Sequence, residues 1–573
     1  MIRSLTIVLI VLSISQPIFT QNTSTCSFQS PLDIPLFLSG NFGELRATHF
    51  HAGIDLKTQG ETGKPVYASC EGYISRIKIQ SGGYGKSLYI THPNGYTTVY
   101  AHLDRYLPEV EEYVENMQYQ RKSYEIELFP PKEKFVFDQG ELIGYSGNTG
   151  SSGGPHLHFE IRKTNGQIPV NGLKFHLPVT DNIPPEFRTL YAYSYPNGEV
   201  VSMGGSERTM YKVAKKNDSV FYVDKTIECP GRFLGFGTEV YDFLNGSSNK
   251  CGVYVLQLKV NDIPWFMFQI DAISFANSRY VNAHMDYDLK INDRKSVHRL
   301  FKLPNNSLPI YSYSVDDGLL FLADDSIYNC EIEAMDVYGN ASTLKFACRA
   351  VTQDTPLQNF PDNSTLVNWE KGDDFTFSKY SVHIPPKALY QDTYLSVKQI
   401  EGEGSIFTDT LLAHNESEPL HLGITISAEV DSINNTLEDK LLFARVNGNN
   451  NLAVEGGEFH NGTLSVTTRD FGKYIITADT IPPQVKPQSF RSGSKYNTGQ
   501  TITFKVEDDL SGMQSYDAYI DDQWALLQYD AKSGTLSYTM DAARLAKGKQ
   551  HSLKIIVTDG KNNRAEYEGR FEY

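Results

Sequence analysis

The stretch GGPHLHFEIRK, Gly153–Lys163, sets two histidines one residue apart in a run that alternates polar and apolar side chains. A strand repeats every two residues, so His156, His158 and Glu160 share one face while Leu157, Phe159 and Ile161 take the other and can enter a core. A lone histidine on a strand is ordinarily solvated or satisfied. Two on one face beside a glycine-rich loop ask for a partner elsewhere. Upstream, ATHFHAGIDL, read as extended, puts His49, His51, Gly53 and Asp55 on one face and Phe50, Ala52, Ile54 and Leu56 on the other. Gly53 has no side chain and leaves room above the strand for an ion or substrate. A third piece, YTTVYAHLDRY, ends an apolar strand at His102. Imidazole nitrogen and carboxylate oxygen are zinc donors, and a catalytic zinc takes three protein ligands with water in the fourth position. His51, Asp55 and one histidine of HLH supply that set.

These residues must be held by a small β domain. From about Pro31 to Pro178 glycine turns separate short β-type runs, KPVYAS, GYISRIKI, KSLYITH, YTTVYAHL, ELIGYSG and HLHFEIR, which read as hairpins. Residues 105–138 break the pattern with acidic, helix-spaced sequence, an expected insertion projecting from the sheet. SGNTGSSGG reads as a flexible rim of the groove, and His92 as a turn residue. Beyond this domain the chain repeats its own punctuation, TDNIPPEF at Thr180–Phe187 and ADTIPPQV at Ala478–Val485. Asp-x-x-Pro-Pro cannot continue a helix and fixes an extended entry, so each marks the opening of a module. DDLSGMQSYDAYID echoes YDFLNGSSNKCGVYVLQ, and TDGKNNRA echoes MDVYGNAS. Such repeats indicate tandem immunoglobulin-like β-sandwiches. The expected fold class is all-β. Its parts are a signal peptide at 1–21, the zinc-site domain at 22–179 and an elaborated sandwich at 180–350. An irregular β-rich module follows at 351–478, then a last sandwich at 479–573.

At 573 residues the chain is too long for one core, and its formal charge of −16 argues against a nucleic-acid partner. The opening MIRSLTIVLIVLSISQ has a basic residue, a short apolar run and then polar residues, the layout of a secretory signal. That run falls short of the roughly 20 residues a spanning helix needs, so an exported chain with no stable membrane span is expected. Six cysteines fit an oxidising compartment. Cys330 and Cys348 flank a hairpin and Cys229 and Cys251 bracket a turn, so each pair is a candidate bridge, with Cys26–Cys70 left over; the same spacings allow six buried thiols.

The motifs His51-Ala-Gly-Ile-Asp55, Tyr100-Ala-His102-Leu103 and His156-Leu-His158-Phe-Glu160, the last preceded by SGNTGSSGGP, occur in this order. They resemble the lysostaphin-type zinc endopeptidases that cut peptidoglycan peptide cross-links. The resemblance covers about Ser39–Arg162 and includes GKPVYAS, GGYGKSLYITHPNG and GELIGYSG. It implies one zinc per chain on His51, Asp55 and His158, with His156 and His102 in the two non-ligand catalytic roles. The arginine that the family carries before its first ligand has a counterpart in Arg46. It further implies a peptidoglycan peptide substrate, while the signal layout leads to an expected periplasmic or extracellular location. Zinc lowers the pKa of its bound water to about 7 and polarises a carbonyl, which suits peptide hydrolysis. Glu160 is then a candidate to orient His158 through a hydrogen bond, or else forms a plain surface ion pair. Two other functions fit the same chain: a catalytically silent envelope scaffold or activator that binds wall or a partner hydrolase, with the C-terminal modules as the contact for an envelope protein, and a surface adhesin built on the sandwiches.

Overall fold

In the computed structural model, residues 27–195, 207–230, 233–323, 326–351, 363–404, 407–430, 434, 436–448 and 451–573 are described. Cys26 and the expected signal peptide lie outside them. The fold is all-β, as the alternation predicts. The N-terminal domain is built on a nine-stranded sheet whose main path runs Leu38–Gly40, Ile54–Lys57, His156–Lys163, Tyr96–Leu103, Lys86–Thr91, Gly72–Ile79 and Ile126–Leu128. Every neighbouring pair on this path is antiparallel. The two strands expected to carry the chemistry are therefore neighbours. Leu157, Phe159 and Ile161 on the inner face are at most 1% exposed and join Ile54, Leu56, Ile74 and Leu88 in one core. Burial of such side chains stabilises by about 1.5–3 kcal/mol each, which fixes the register of the outer face.

The segment at 105–138 does not project. Helix Pro108–Arg121 starts on a proline at its first turn, ends on left-handed Lys122 (φ 49°), and buries Val110, Val114 and Gln118. After it, Ile126–Leu128 and Val136–Phe137 both pair with Gly72–Ile79. Apolar residues within the insertion, Ile126, Leu128, Phe135 and Phe137, enter the domain core and pull it onto the sheet.

Three sandwiches follow. The first packs a five-stranded sheet, centred on Glu186–Tyr195 and Phe233–Tyr241, against an eight-stranded sheet centred on Ala341–Val351 and Tyr328–Met335. The middle one pairs two five-stranded antiparallel sheets around Val382, Ile426, Phe443 and Ile476, a regular sandwich where the sequence looked irregular. The last consists of two four-stranded sheets around Phe504, Leu536, Ile555 and Phe571. Among the described residues no helix is long and apolar enough to cross a membrane.

The N-terminal domain and the first sandwich share cores. Phe42, Leu45 and Phe50 pack among Phe187, Phe236, Leu256 and Phe268 of the sandwich, while Leu244 and Cys251 of the sandwich pack in the N-terminal core. The expected stripe of Phe50, Ile54 and Leu56 is thus split between two bodies. Of the expected bridges neither is formed: Cys229, Cys251, Cys330 and Cys348 are buried and not disulfide-bonded, with Cys330 Sγ 3.8 Å from Cys348 Sγ. Cys229 and Cys251 sit in different cores. Cys70 is disulfide-bonded.

Candidate metal centre

The register of two strands does most of the assembly. His156–Lys163 runs antiparallel to Ile54–Lys57 with His158 directly opposite Asp55, so the two side chains meet on the outer face. His51 arrives from a tight excursion rather than from a continuous strand: Leu45 pairs with Phe50, and the Arg46 N–H donates to the His49 carbonyl (3.0 Å). That turn carries His49 to an exposed position, away from the face it would share with His51 in an extended chain. His51 Nε2, Asp55 Oδ1 and His158 Nδ1 come together at separations of 3.1, 3.1 and 2.9 Å. A tetrahedral zinc with bonds of about 2.0–2.1 Å holds its ligands roughly 3.3 Å apart, so this nitrogen and oxygen set fits the ion.

Each imidazole is oriented by its other nitrogen. His51 Nδ1 lies 2.8 Å from the Asn41 carbonyl, which can only accept, so the proton sits on Nδ1 and Nε2 offers a lone pair. Asn41 is in turn held by the first sandwich: its Nδ2 donates to the Gly252 carbonyl (2.7 Å) and its Oδ1 accepts from the Gly252 N–H (2.8 Å). On the other ligand, His158 Nε2 donates to Glu160 Oε1 at 2.8 Å, leaving Nδ1 for the metal. Glu160 is not a surface residue; its side chain has no exposure and it also accepts from Arg162 Nε (2.5 Å) and from the Tyr84 hydroxyl. Tyr84 stacks on His158 with ring centroids 5.2 Å apart. Burial opposes ionisation of Glu160, but the Arg162 charge and the His158 hydrogen bond outweigh it and hold the carboxyl down at about 2. For His158, burial works against the charged ring, yet hydrogen bonds to Asp55 and Glu160 push it up to about 9. Without metal, a proton on Nδ1 stands where the bond to the ion would form.

The two remaining histidines face the same point. His156 Nε2 lies 3.4 Å from Asp55 Oδ1, and its Nδ1 donates to the Gly154 carbonyl at 2.8 Å. The His102 ring is 4.8 Å from that of His156 and 5.9 Å from that of His158, and its Nδ1 donates to the Thr149 carbonyl at 2.8 Å. Strand pairing places Ala101, not His102, opposite His158. Alternation alone would turn His102 to the other face, but it adopts a left-handed φ of 60°, a conformation uncommon for non-glycine residues and recurrent at functional sites. Burial and the neighbouring His158 and His156 lower its pKa to about 3, so it is a neutral ring at physiological pH.

Several surroundings differ from the sequence expectation. A Cβ on Gly53 would lie 2.4 Å from the Phe159 carbonyl and 3.1 Å from His158 Cε1, so this glycine permits close approach of the ligand-bearing strand rather than keeping space for an ion. The SGNTGSSGG rim is tied down: Lys86 N–H donates to Thr149 Oγ1 (2.9 Å), Ser151 N–H to the Gly83 carbonyl (2.8 Å), and Gly83 N–H to Ser151 Oγ (2.9 Å). His92 is 3% exposed and bonded to the Glu71 carbonyl and Thr98 Oγ1, a buried structural residue. Arg46 reaches Asp55 Oδ2 at 3.5 Å and Glu44 at 3.0 Å. Arg162 escaped sequence reasoning, although it is the next residue on the same face after His156, His158 and Glu160. Asn41 and Gly252 carried no signal at all, being 211 residues apart. The last sandwich also reaches the rim: Lys532 Nζ donates to the carbonyls of Asn148 and Ser152, the latter at 3.3 Å. Nearby, Arg544 pairs with Glu115 (3.5 Å) and lies 4.0 Å over the Tyr119 ring of helix Pro108–Arg121.

A β sheet that brings two imidazoles and one carboxylate to metal-binding distance, with two further imidazoles facing the same point, is an arrangement that could serve a metallopeptidase. Residues 49–119 and 132–171 match Peptidase family M23, and the N-terminal domain is a domain of that family. Residues 364–479, the middle sandwich, match the Zu5-like domain. The chain is similar to the DD-carboxypeptidase/endopeptidase Mpg of Neisseria meningitidis serogroup B, with 38% identity over 137 residues, covering 24% of this chain and 25% of that protein. It is also similar to the peptidoglycan DD-endopeptidase ShyA of Vibrio cholerae serotype O1, with 30% identity over 162 residues, 27% of this chain and 31% of the relative. Among solved structures, a zinc-containing peptidase from Vibrio cholerae aligns at 27% identity over 25% of this chain and 39% of its own, with a TM-score of 0.19. The chain spans about a quarter to a third of the length of these curated relatives.

Proposed function

We propose that the protein is an exported zinc endopeptidase that hydrolyses peptide cross-links of peptidoglycan in the cell envelope. The observation that carries this reading is the convergence of His51 Nε2, Asp55 Oδ1 and His158 Nδ1 within 3.1 Å of one another beneath two further imidazoles. Those three residues would hold the ion; when bound, zinc acidifies water and polarises the scissile carbonyl. His51 and His158 are presented with their lone pairs inward by Asn41 and Glu160. His102 and His156, each with its Nδ1 proton committed to a carbonyl, offer Nε2 to accept a proton and to return it to the leaving amine. Neutrality of His102 favours acceptance. The named relatives support a cell-wall peptide as substrate.

The test is to purify the full chain, measure bound metal and assay cross-linked muropeptides. Wild type is expected to hold about one zinc and to cleave. His158→Ala should lose the metal, while His102→Ala and His156→Ala should keep it and lose about 10²–10⁴-fold in turnover. Full zinc occupancy with no cleavage of any wall preparation would instead favour the silent scaffold.

A further inference from the structure

The Asp-x-x-Pro-Pro junctions do more than start a module. Asp181, Asp242 and Asp336 come from three separate stretches: the entry to the first sandwich, the end of strand Phe233–Tyr241, and the end of strand Tyr328–Met335. One carboxylate oxygen from each lies within 4.8 Å of the other two. Asp242 is 2% exposed, and its buried Oδ1 has no hydrogen-bond partner; neither has the buried Oδ2 of Asp181. Asp336, 3% exposed, is rigidly presented: Oδ1 accepts from the N–H groups of Tyr338 (2.8 Å) and Asn340 (2.9 Å), and Oδ2 from the Asn340 amide (2.7 Å). Among the described residues no basic side chain forms an ion pair with any of the three. Buried carboxylates without a cation repel one another and forfeit solvation, and orphaned oxygens add a further cost.

The last sandwich repeats the scaffold. Asp479, Asp508 and Asp559 again bring donor oxygens within 4.8 Å. Asp559 accepts from the N–H groups of Lys561 and Asn563 and from the Asn563 amide, just as Asp336 does from its own loop. Asp181 Oδ1 takes the Ile183 N–H and Asp479 Oδ1 the Ile481 N–H. Asp508 Oδ1 is likewise buried with no partner.

We propose that Asp181, Asp242 and Asp336 form a calcium site that pins the entry of the first sandwich, just after its junction with the N-terminal domain, to the ends of two of the sandwich's own strands. The donors are all oxygen, the preference of a hard cation, and calcium binds them at about 2.3–2.6 Å, so oxygens sharing one ion lie within roughly 5 Å of each other. Zinc, which favours nitrogen and sulfur, belongs to the histidine site instead. The ion would close a short circuit. Asp181 lies two residues after Val179, which packs in the N-terminal core, and the stretch from Asp242 to Gly252 passes Ser247, whose hydroxyl donates to the Leu38 carbonyl (2.6 Å), before reaching the partner of Asn41. This inference does not depend on the peptidase reading.

The test uses the full chain, dialysed free of calcium, titrated with Ca2+ alone and compared with Asp242→Asn, an isosteric change. The variant should bind one equivalent of calcium fewer while its zinc content is unchanged. Thermal unfolding gives a second readout with a change of sign. Without calcium, Asp242→Asn should melt higher than wild type, because the cost of burying that carboxyl, as a charge or by taking up a proton, is gone; with millimolar calcium wild type should overtake it. Equal calcium binding by both proteins, no calcium binding by wild type at millimolar concentration, or a variant less stable than wild type in calcium-free buffer as well would overturn the assignment.

Discussion

Replacing Glu160 by glutamine tests how the site is held. The side chain is fully buried and accepts from His158, Arg162 and Tyr84. Its carboxyl is held at about 2 instead of 4.5, and at 1.36 kcal/mol per unit this corresponds to about 3 kcal/mol of stability. Because the folded value is depressed, that contribution is present above pH 4.5 and is lost as pH falls toward 2. Glutamine keeps the shape but leaves the Arg162 guanidinium, 3% exposed, without its charge partner, a situation that costs about 3–5 kcal/mol. It also weakens the acceptor that orients His158, a change that ordinarily lowers metal affinity by about 10–100-fold. Calorimetry of the full chain reads the first loss, and competition for zinc with a chromophoric chelator reads the second. The two are separable. Adding Arg162→Met to Glu160→Gln removes the stranded cation and should recover melting temperature while zinc affinity stays low. Wild-type zinc affinity in the single variant, or its full recovery in the double variant, would refute the claim that Glu160 acts through the His158 ring.

Three further outcomes follow from the same geometry. Gly53→Ala sets a Cβ 2.4 Å from the Phe159 carbonyl and must part the strands bearing Asp55 and His158, so kcat/KM should drop by about 100-fold; wild-type activity in this variant would count against the close-approach role. In the metal-free protein His158 keeps its second proton up to about pH 9, so zinc binding at pH 7.5 should release one proton and apparent affinity should climb about tenfold per pH unit until 9; calorimetric titration in buffers of different ionisation enthalpy measures it. Lys532→Ala with Arg544→Ala severs contacts of the last sandwich with the rim and with helix Pro108–Arg121, each worth about 0–1 kcal/mol, and should raise cleavage of intact wall a few-fold without altering cleavage of small muropeptides. Unchanged rates on both substrates would show that this contact does not limit access.

The ligand strands were legible because a period of two leaves no freedom: once Leu157, Phe159 and Ile161 are inside, His156, His158 and Glu160 must face out together. Tandem sandwiches were legible from turn signals that recur near Asp181 and Asp479. What alternation could not reveal is where a chain stops alternating. His102 reaches the site through one left-handed residue, and His49 leaves it through a turn at Arg46. Partners distant in sequence were equally hidden. Phe50 reads as one more apolar residue beside Ile54, and nothing local says that it enters a different core. The insertion at 105–138 looked polar enough to project because its buried residues, Val110, Val114, Phe135 and Phe137, are widely spaced. The aspartates at the module junctions were read as punctuation, since the prolines that follow them already account for an extended entry.

The interlocked cores of the N-terminal domain and the first sandwich set the smallest unit that can work. A fragment cut near residue 180 would bare Phe42, Leu45 and Phe50 to water and deprive Asn41 of Gly252, loosening the grip on His51 from behind. A chain carried through Val351 would keep that support, and exchange of this sandwich for another spacer would take away the Gly252 partner of Asn41 along with the joint.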